Sequence, residues 1–141
     1  MIVIDASIGV KWFLDEVGSQ AAEALFKAQR GNIATPYIFA VEVAATLVRE
    51  ANIRKELGNS MRLALAQLTG LLVSGAVGPI HTAHEDMTAA ANLAIDLGHP
   101  LKDCLYLALA IELECPLVTA DARFAAKARG IYEDVQILAE E

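Results

Sequence analysis

The chain has 141 residues, 55% of them hydrophobic and 21% charged, and a net charge of −7. That length supports one core without disulfide or metal staples, and the apolar share with a mean hydropathy of +0.42 excludes a disordered chain. The acidic balance excludes a general field that attracts nucleic acid, so any such activity has to rest on a local basic patch or on bound cations.

No run approaches the ~20 uninterrupted apolar residues of a membrane span. Met1-Ile2-Val3-Ile4-Asp5 carries no basic segment of a secretory signal. A cytoplasmic protein is expected, with a single domain over residues 1–141. Cys104 and Cys115 lie eleven apart along one helical pattern. At ~1.5 Å per residue that spacing is too long for a disulfide if both are helical, and both read as small buried hydrophobes.

In chain order, Ile2–Ile4 predicts a short apolar strand. Ser7 is expected to cap a short helix through Leu14. A helix from Ser19 to Arg30 ends before Gly31, and Ile33–Thr35 is a strand stopped by Pro36. A long helix covers Ile38 to Asn52, and another Lys55 to Val73, interrupted at Gly58-Asn59-Ser60. Val77–Ile80 is a strand. Thr82, with Glu85 three residues on, predicts a capping box for a helix ending near Leu97. Lys102-Asp103 opens a helix to Glu114, Pro116–Thr119 is a strand, Asp121–Arg129 a helix and Val135–Leu138 a last strand. Short apolar strands alternating with longer helices predict an α/β fold: a mainly parallel central sheet with helices on both faces.

In such sheets ligands bind at the carboxyl ends of the strands. Asp5 directly follows the first strand, and Asp121 follows the Leu117–Thr119 strand. Asp103 opens a helix. Glu42 interrupts the nearly apolar stretch Ile38–Ala45, where a carboxylate is seldom buried without a partner or a metal. Taken singly, Asp5 and Asp121 also fit as helix caps, Asp103 as a charge favoured by a helix N-terminus, and Glu42 as a solvent-facing glutamate. Taken together, four carboxylates brought close repel unless a cation neutralises them. Hard oxygen donors suit Mg²⁺ or Mn²⁺, and no Cys/His spacing suggests zinc. Such a cluster suits phosphodiester hydrolysis by a metal-activated water.

Val3-Ile4-Asp5-Ala6-Ser7 resembles the opening of PIN domains. Pro36 followed by Glu42-Val43 resembles their second acidic motif, Lys102-Asp103-Cys104-Leu105-Tyr106-Leu107-Ala108-Leu109-Ala110 the third, and Leu117-Val118-Thr119-Ala120-Asp121 with Phe124 the fourth. The motifs are in order and cover nearly the whole chain. At this length the chain resembles the VapC-type toxins of toxin–antitoxin pairs. That resemblance implies a three-layer α/β/α sandwich, a Mg²⁺-dependent endoribonuclease, a homodimer and inhibition by a small antitoxin protein. It also implies Asp5, Glu42, Asp103 and Asp121 as catalytic metal ligands, with Ser7 and Thr119 as supporting hydroxyls. Two positions depart from the pattern. Ala45 stands where many relatives carry Asn, and Arg123 where many carry an acid.

Asp5, Glu42 and Asp103 are expected to ligate metal, with Asp121 completing the cluster or orienting the attacking water. Lys11, Arg49, Arg54, Lys55, Arg62 and Lys102 are candidates for a local basic groove, or else scattered solvated charges. Lys11 and Lys102, nearest the acidic motifs in sequence, are the first candidates to bind RNA phosphate. Trp12 and Phe13 are expected to pack rather than stack on a base, and His81, His84 and His99 to be structural or at the surface. The apolar stretches Ile38–Val48 and Leu63–Val73 are candidates for dimer or antitoxin surfaces, or for plain core. Two other readings are a receiver-type phosphoacceptor signalling domain and a non-catalytic PIN-like binding module. Against the first, Val77–Ile80 is followed by His81-Thr82, with no phosphorylatable Asp. Against the second, all four acids are present.

Overall fold

Residues 1–139, the part the computed structural model describes, form five strands and seven α-helices. The strands are β1 (Ile2–Ile4), β2 (Ile33–Pro36), β3 (Gly78–Ile80), β4 (Leu117–Thr119) and β5 (Val135–Ile137). They make one sheet in the order β3-β2-β1-β4-β5, with every neighbouring pair parallel. The inner strands β1, β2 and β4 are buried along their whole length. They are apolar but for Thr35 and Thr119, because both faces of the sheet are covered.

The helices are α1 (Ala6–Gly9), α2 (Ser19–Gln29), α3 (Ile38–Ile53), α4 (Gly58–Ser74), α5 (His84–Leu97), α6 (Leu101–Leu113) and α7 (Ala122–Ala128). From β1 the chain steps outward to β2 and β3, then crosses back over β1 to β4 and β5. Right-handed crossovers therefore place α1–α4 on one face and α5–α7 on the other, and α3 packs on α4 while α5 packs on α6. This is the expected three-layer α/β/α sandwich.

Each long helix commits one stripe to the core: Phe39, Val43 and Leu47 from α3, and Met61, Ala64 and Leu68 from α4. Their other faces leave Val41, Val48, Leu63 and Val73 exposed. The candidate interaction stretches thus divide into core and apolar surface. Trp12 packs, as expected: its ring lies 5.1 Å from Phe26 and 6.2 Å from Phe39, and its indole N–H donates to Ala22 O at 3.0 Å. Gly9 lets α1 approach α3, since a Cβ there would lie 2.6 Å from Phe39 Cζ. Both cysteines are buried and unpaired. Among the described residues no helix is long and apolar enough to cross a membrane.

Two caps differ from expectation. The first helix is a single turn, Ala6–Gly9, continued by a 3₁₀ turn at Val10–Trp12, and its N-cap is Asp5, not Ser7. Asp5 has the extended backbone of a cap, and its carboxylate accepts the Ser7 N–H at 3.1 Å. For α5 the cap is Ala83 rather than Thr82, and the reciprocal bond comes from Asp86, which accepts the Ala83 N–H at 3.1 Å. Glu85 is one residue out of register for that role. An alanine side chain accepts nothing, so only half of a capping box exists there.

Candidate active site

The strand order reverses between β1 and β4, and their carboxyl ends open the crevice where parallel sheets bind ligands. Asp5 directly follows β1 and Asp121 lies two residues past β4. Asp5 is buried, with a carboxylate that takes a hydroxyl on each oxygen: Ser7 Oγ donates to Oδ1 and Thr119 Oγ1 to Oδ2. Each hydroxyl in turn accepts a backbone N–H from the end of β4, Ser7 Oγ from Ala120 at 2.9 Å and Thr119 Oγ1 from Asp121 at 3.1 Å. Two parallel relays therefore join the ends of the two strands through one carboxylate. This gives Ser7 and Thr119, named from their motifs, a physical role.

Burial pushes the Asp5 carboxyl up to about 6, against the lowering effect of the Ser7 and Thr119 hydrogen bonds, and the Asp103 charge adds to the rise. A buried carboxylate short of compensating charge is one that a cation would stabilise.

Glu42 lies on α3, a turn and a half past the end of β2, and is only partly exposed. Tyr106 Oη donates to its Oε1 at 2.6 Å, and Lys102 Nζ lies 3.7 Å from its Oε2. Tyr106 is buried in α6. Burial, the bond to Glu42 and the charges of Glu42, Asp5 and Asp103 all push its pKa up, so it stays a neutral donor among three acids. Asp103 occupies the first turn of α6, favourable for a negative charge. Its Oδ2 accepts from His99 Nε2 at 2.6 Å. The His99 ring stacks on Phe124 at 4.9 Å, one turn into α7. Asp121 is the N-cap of α7, its Oδ1 accepting the Phe124 N–H at 3.0 Å.

The cap and the acidic-site readings of Asp5 and Asp121 thus coexist, since capping occupies only part of each carboxylate. The charges of Asp5, Glu42 and Asp103 act on one tyrosine hydroxyl, and the Asp121 backbone N–H, not its carboxylate, is tied to Asp5 through Thr119. Among the described residues, however, no three His, Cys, Asp or Glu side chains converge closely enough to hold a metal ion as they stand. The donors fit a hard divalent cation in kind, being carboxylate oxygens with an uncompensated charge at Asp5. In position, Glu42 and Asp103 are held by Lys102 and His99.

His99 was not among the expected site residues. Its spacing four before Asp103 is a helical contact spacing, but Pro100 between them masks it as a helix signal. Lys102 lies beside Glu42. Lys11 does not join the acids: its ammonium is 3.2 Å from Glu16 Oε1 and donates to Val17 O at 2.6 Å. It borders a groove of about 850 Å³ lined by Trp12, Phe13, Phe26 and Leu71. That groove holds none of the four acids.

A family profile described as a PIN domain matches residues 2–130. No curated protein sequence is significantly similar. Among solved structures, a protein of Pyrobaculum aerophilum is 18% identical, with 97% of this chain and 88% of that one aligned at a TM-score of 0.71. A toxin–antitoxin complex from Klebsiella pneumoniae is 17% identical, with 100% of both chains aligned at 0.68. The Mycobacterium tuberculosis toxin VapC20, described as cleaving the sarcin–ricin loop, is 14% identical, with 89% of this chain and 94% of that one aligned at 0.72.

Proposed function

The chain belongs to the PIN domain family, and from that premise we propose that it is a metal-dependent endoribonuclease, the toxin of a toxin–antitoxin pair. One observation carries the chemistry: Asp5, a buried carboxylate at the switch point of the sheet, is aimed by two hydroxyl relays and feels the charge of Asp103, while Glu42 meets both through the Tyr106 hydroxyl.

Asp5, Glu42, Asp103 and Asp121 are the residues that would hold Mg²⁺ or Mn²⁺. When bound, such an ion lowers the pKa of a water and offsets charge on the phosphate and leaving oxygen. The protein's own contribution is positional. Ser7 and Thr119 fix the Asp5 carboxylate, Tyr106 and Lys102 hold Glu42, and His99 holds Asp103. Lys102 also supplies a positive charge for RNA phosphate. No histidine base is needed.

A structural neighbour that is a toxin–antitoxin complex supports an antitoxin partner. The groove beside Trp12, Phe13 and Phe26 suits the apolar face of a partner helix. The exposed Val41 and Val48 of α3 suit a homodimer contact.

The test is incubation of total RNA with the protein in Mg²⁺ and in chelator, with cleavage ends mapped. Discrete cleavage is expected in Mg²⁺ alone and is expected to be lost in Asp5→Asn. Undiminished cleavage in chelator, or by Asp5→Asn, refutes the reading. The failure of three donors to converge favours a second reading, a non-catalytic module of the same fold. Metal binding without cleavage of any RNA would establish that one.

A further inference from the structure

Beside the acidic residues a cleft of about 240 Å³ runs along α3, bordered by Ser7, Glu42, Ala45, Thr46, Arg49 and Lys102. In a chain with only 11 basic side chains against 18 acidic ones, two cations and a single acid line this cleft. It is a basic patch within an acidic protein. The two cations differ. Lys102 sits 3.7 Å from Glu42 Oε2, whereas Arg49 is exposed and has no ion-pair partner among the described residues.

Arg49 follows Glu42 by two helical turns and so shares its face of α3, about 10 Å farther along the axis. Between them the cleft is open and carries no rival charge. Ala45 is a methyl group, and Thr46 turns its hydroxyl back onto Glu42 O at 3.1 Å. A guanidinium is a planar fork that matches phosphate oxygens and stays charged at every working pH. Other cations are spent or placed elsewhere. Lys11 is bound to Glu16, Arg54 to Glu50 and Lys27 to Glu23, while Lys55 and Arg62 line a separate cleft.

We infer that this cleft seats the backbone of single-stranded RNA beside the bond to be cut, with Arg49 binding a flanking phosphate and Lys102 the one nearer Glu42. The inference rests on the ribonuclease reading. It moves the substrate-binding role expected of Lys11 to Arg49, and it gives a use to the alanine at position 45.

The test measures binding of a short fluorescein-labelled single-stranded RNA by anisotropy over a salt series, in an Asp5→Asn background so that the strand survives. Arg49→Gln is expected to weaken binding several-fold and to lower the slope of log affinity against log salt by about 0.7, the counterions released by one phosphate contact on a single strand. Arg49→Lys is expected to keep the slope. Ala45→Trp, which fills the cleft, is expected to weaken binding and leave the slope unchanged. Lys27→Gln, an exposed cation on α2, is expected to change neither. Equal affinity and slope for Arg49→Gln, or the same loss with Lys27→Gln, overturns the inference while cleavage of total RNA by the wild type leaves the ribonuclease reading intact. If no RNA is bound by any variant and none is cut by the wild type, both fall.

Discussion

Burial of the Asp5 charge opposes stability, while the proposed activity requires that charge, and Asp5→Asn separates the two. In the metal-free fold its carboxyl is raised from 3.8 to about 6, chiefly by burial. The native state therefore binds the proton more tightly than the unfolded chain. The stability this contributes is fully present below pH 3.8 and is lost as the pH rises through about 6. Two pKa units correspond to about 3 kcal/mol. An asparagine has the same shape, accepts one hydroxyl and donates to the other, and never ionises. At pH 8 in chelator, Asp5→Asn is expected to be more stable than the wild type by up to about 3 kcal/mol, a Tm rise of roughly 10 °C at this size. The gap is expected to close toward pH 3.5. At pH 8, added Mg²⁺ is expected to narrow it from the other side, by stabilising only the wild type. Calorimetry at several pH values in chelator measures this directly. A variant less stable than the wild type at pH 8, or a gap that does not change with pH, refutes the claim that Asp5 is an undercompensated buried charge.

Other perturbations probe neighbouring features. Tyr106→Phe removes the donor to Glu42, a partly solvated carboxylate that keeps Lys102, and is expected to cost about 1 kcal/mol in denaturant unfolding and to lower metal affinity. Thr35 has a buried hydroxyl with no partner among the described residues, so Thr35→Val is expected to stabilise by about 1 kcal/mol, read as a shift in denaturation midpoint. Gly9→Ala places a methyl 2.6 Å from the fully buried Phe39 ring and is expected to cost about 1–3 kcal/mol by the same measurement. Lys102→Gln removes an exposed partner of Glu42; unfolding is expected to change by less than about 1 kcal/mol, while cleavage falls.

The sequence patterns that were easiest to read are those set by burial. β1 and β4 are short, buried on both faces and apolar but for Thr119, so their runs of Ile, Val and Leu announce a parallel sheet, and the acids that follow them lie at its carboxyl edge. The caps were harder, because several polar residues compete within a turn of one another. Asp5 displaced Ser7 as the cap of α1, and Asp86 rather than Glu85 found the free N–H of α5. Contacts between distant segments left no local trace at all. Nothing in the sequence around Tyr106 says that its hydroxyl reaches Glu42, sixty-four positions away. A contact across a short loop is as hard to read: Glu16 and the Val17 carbonyl, only five and six positions on, claim the Lys11 ammonium. His99 lay within reach of a spacing argument, but the proline after it disguised the helical register.

The Ser7–Asp5–Thr119 relays span 112 to 114 positions of chain. They have a consequence for synthesis. During synthesis Asp5 is made more than a hundred residues before Thr119, the Ala120 and Asp121 amides and the whole of β4, and lacks them until they follow. Pairing of β1 with β4 closes the longest-range contact of the inner sheet, so it is made late and repays its loop entropy last. Until β4 pairs with β1, the Asp5 carboxylate has neither the Thr119 hydroxyl nor the Ser7 link to the Ala120 amide. The two relays on Asp5 are therefore completed together, in the single step that docks β4 on β1.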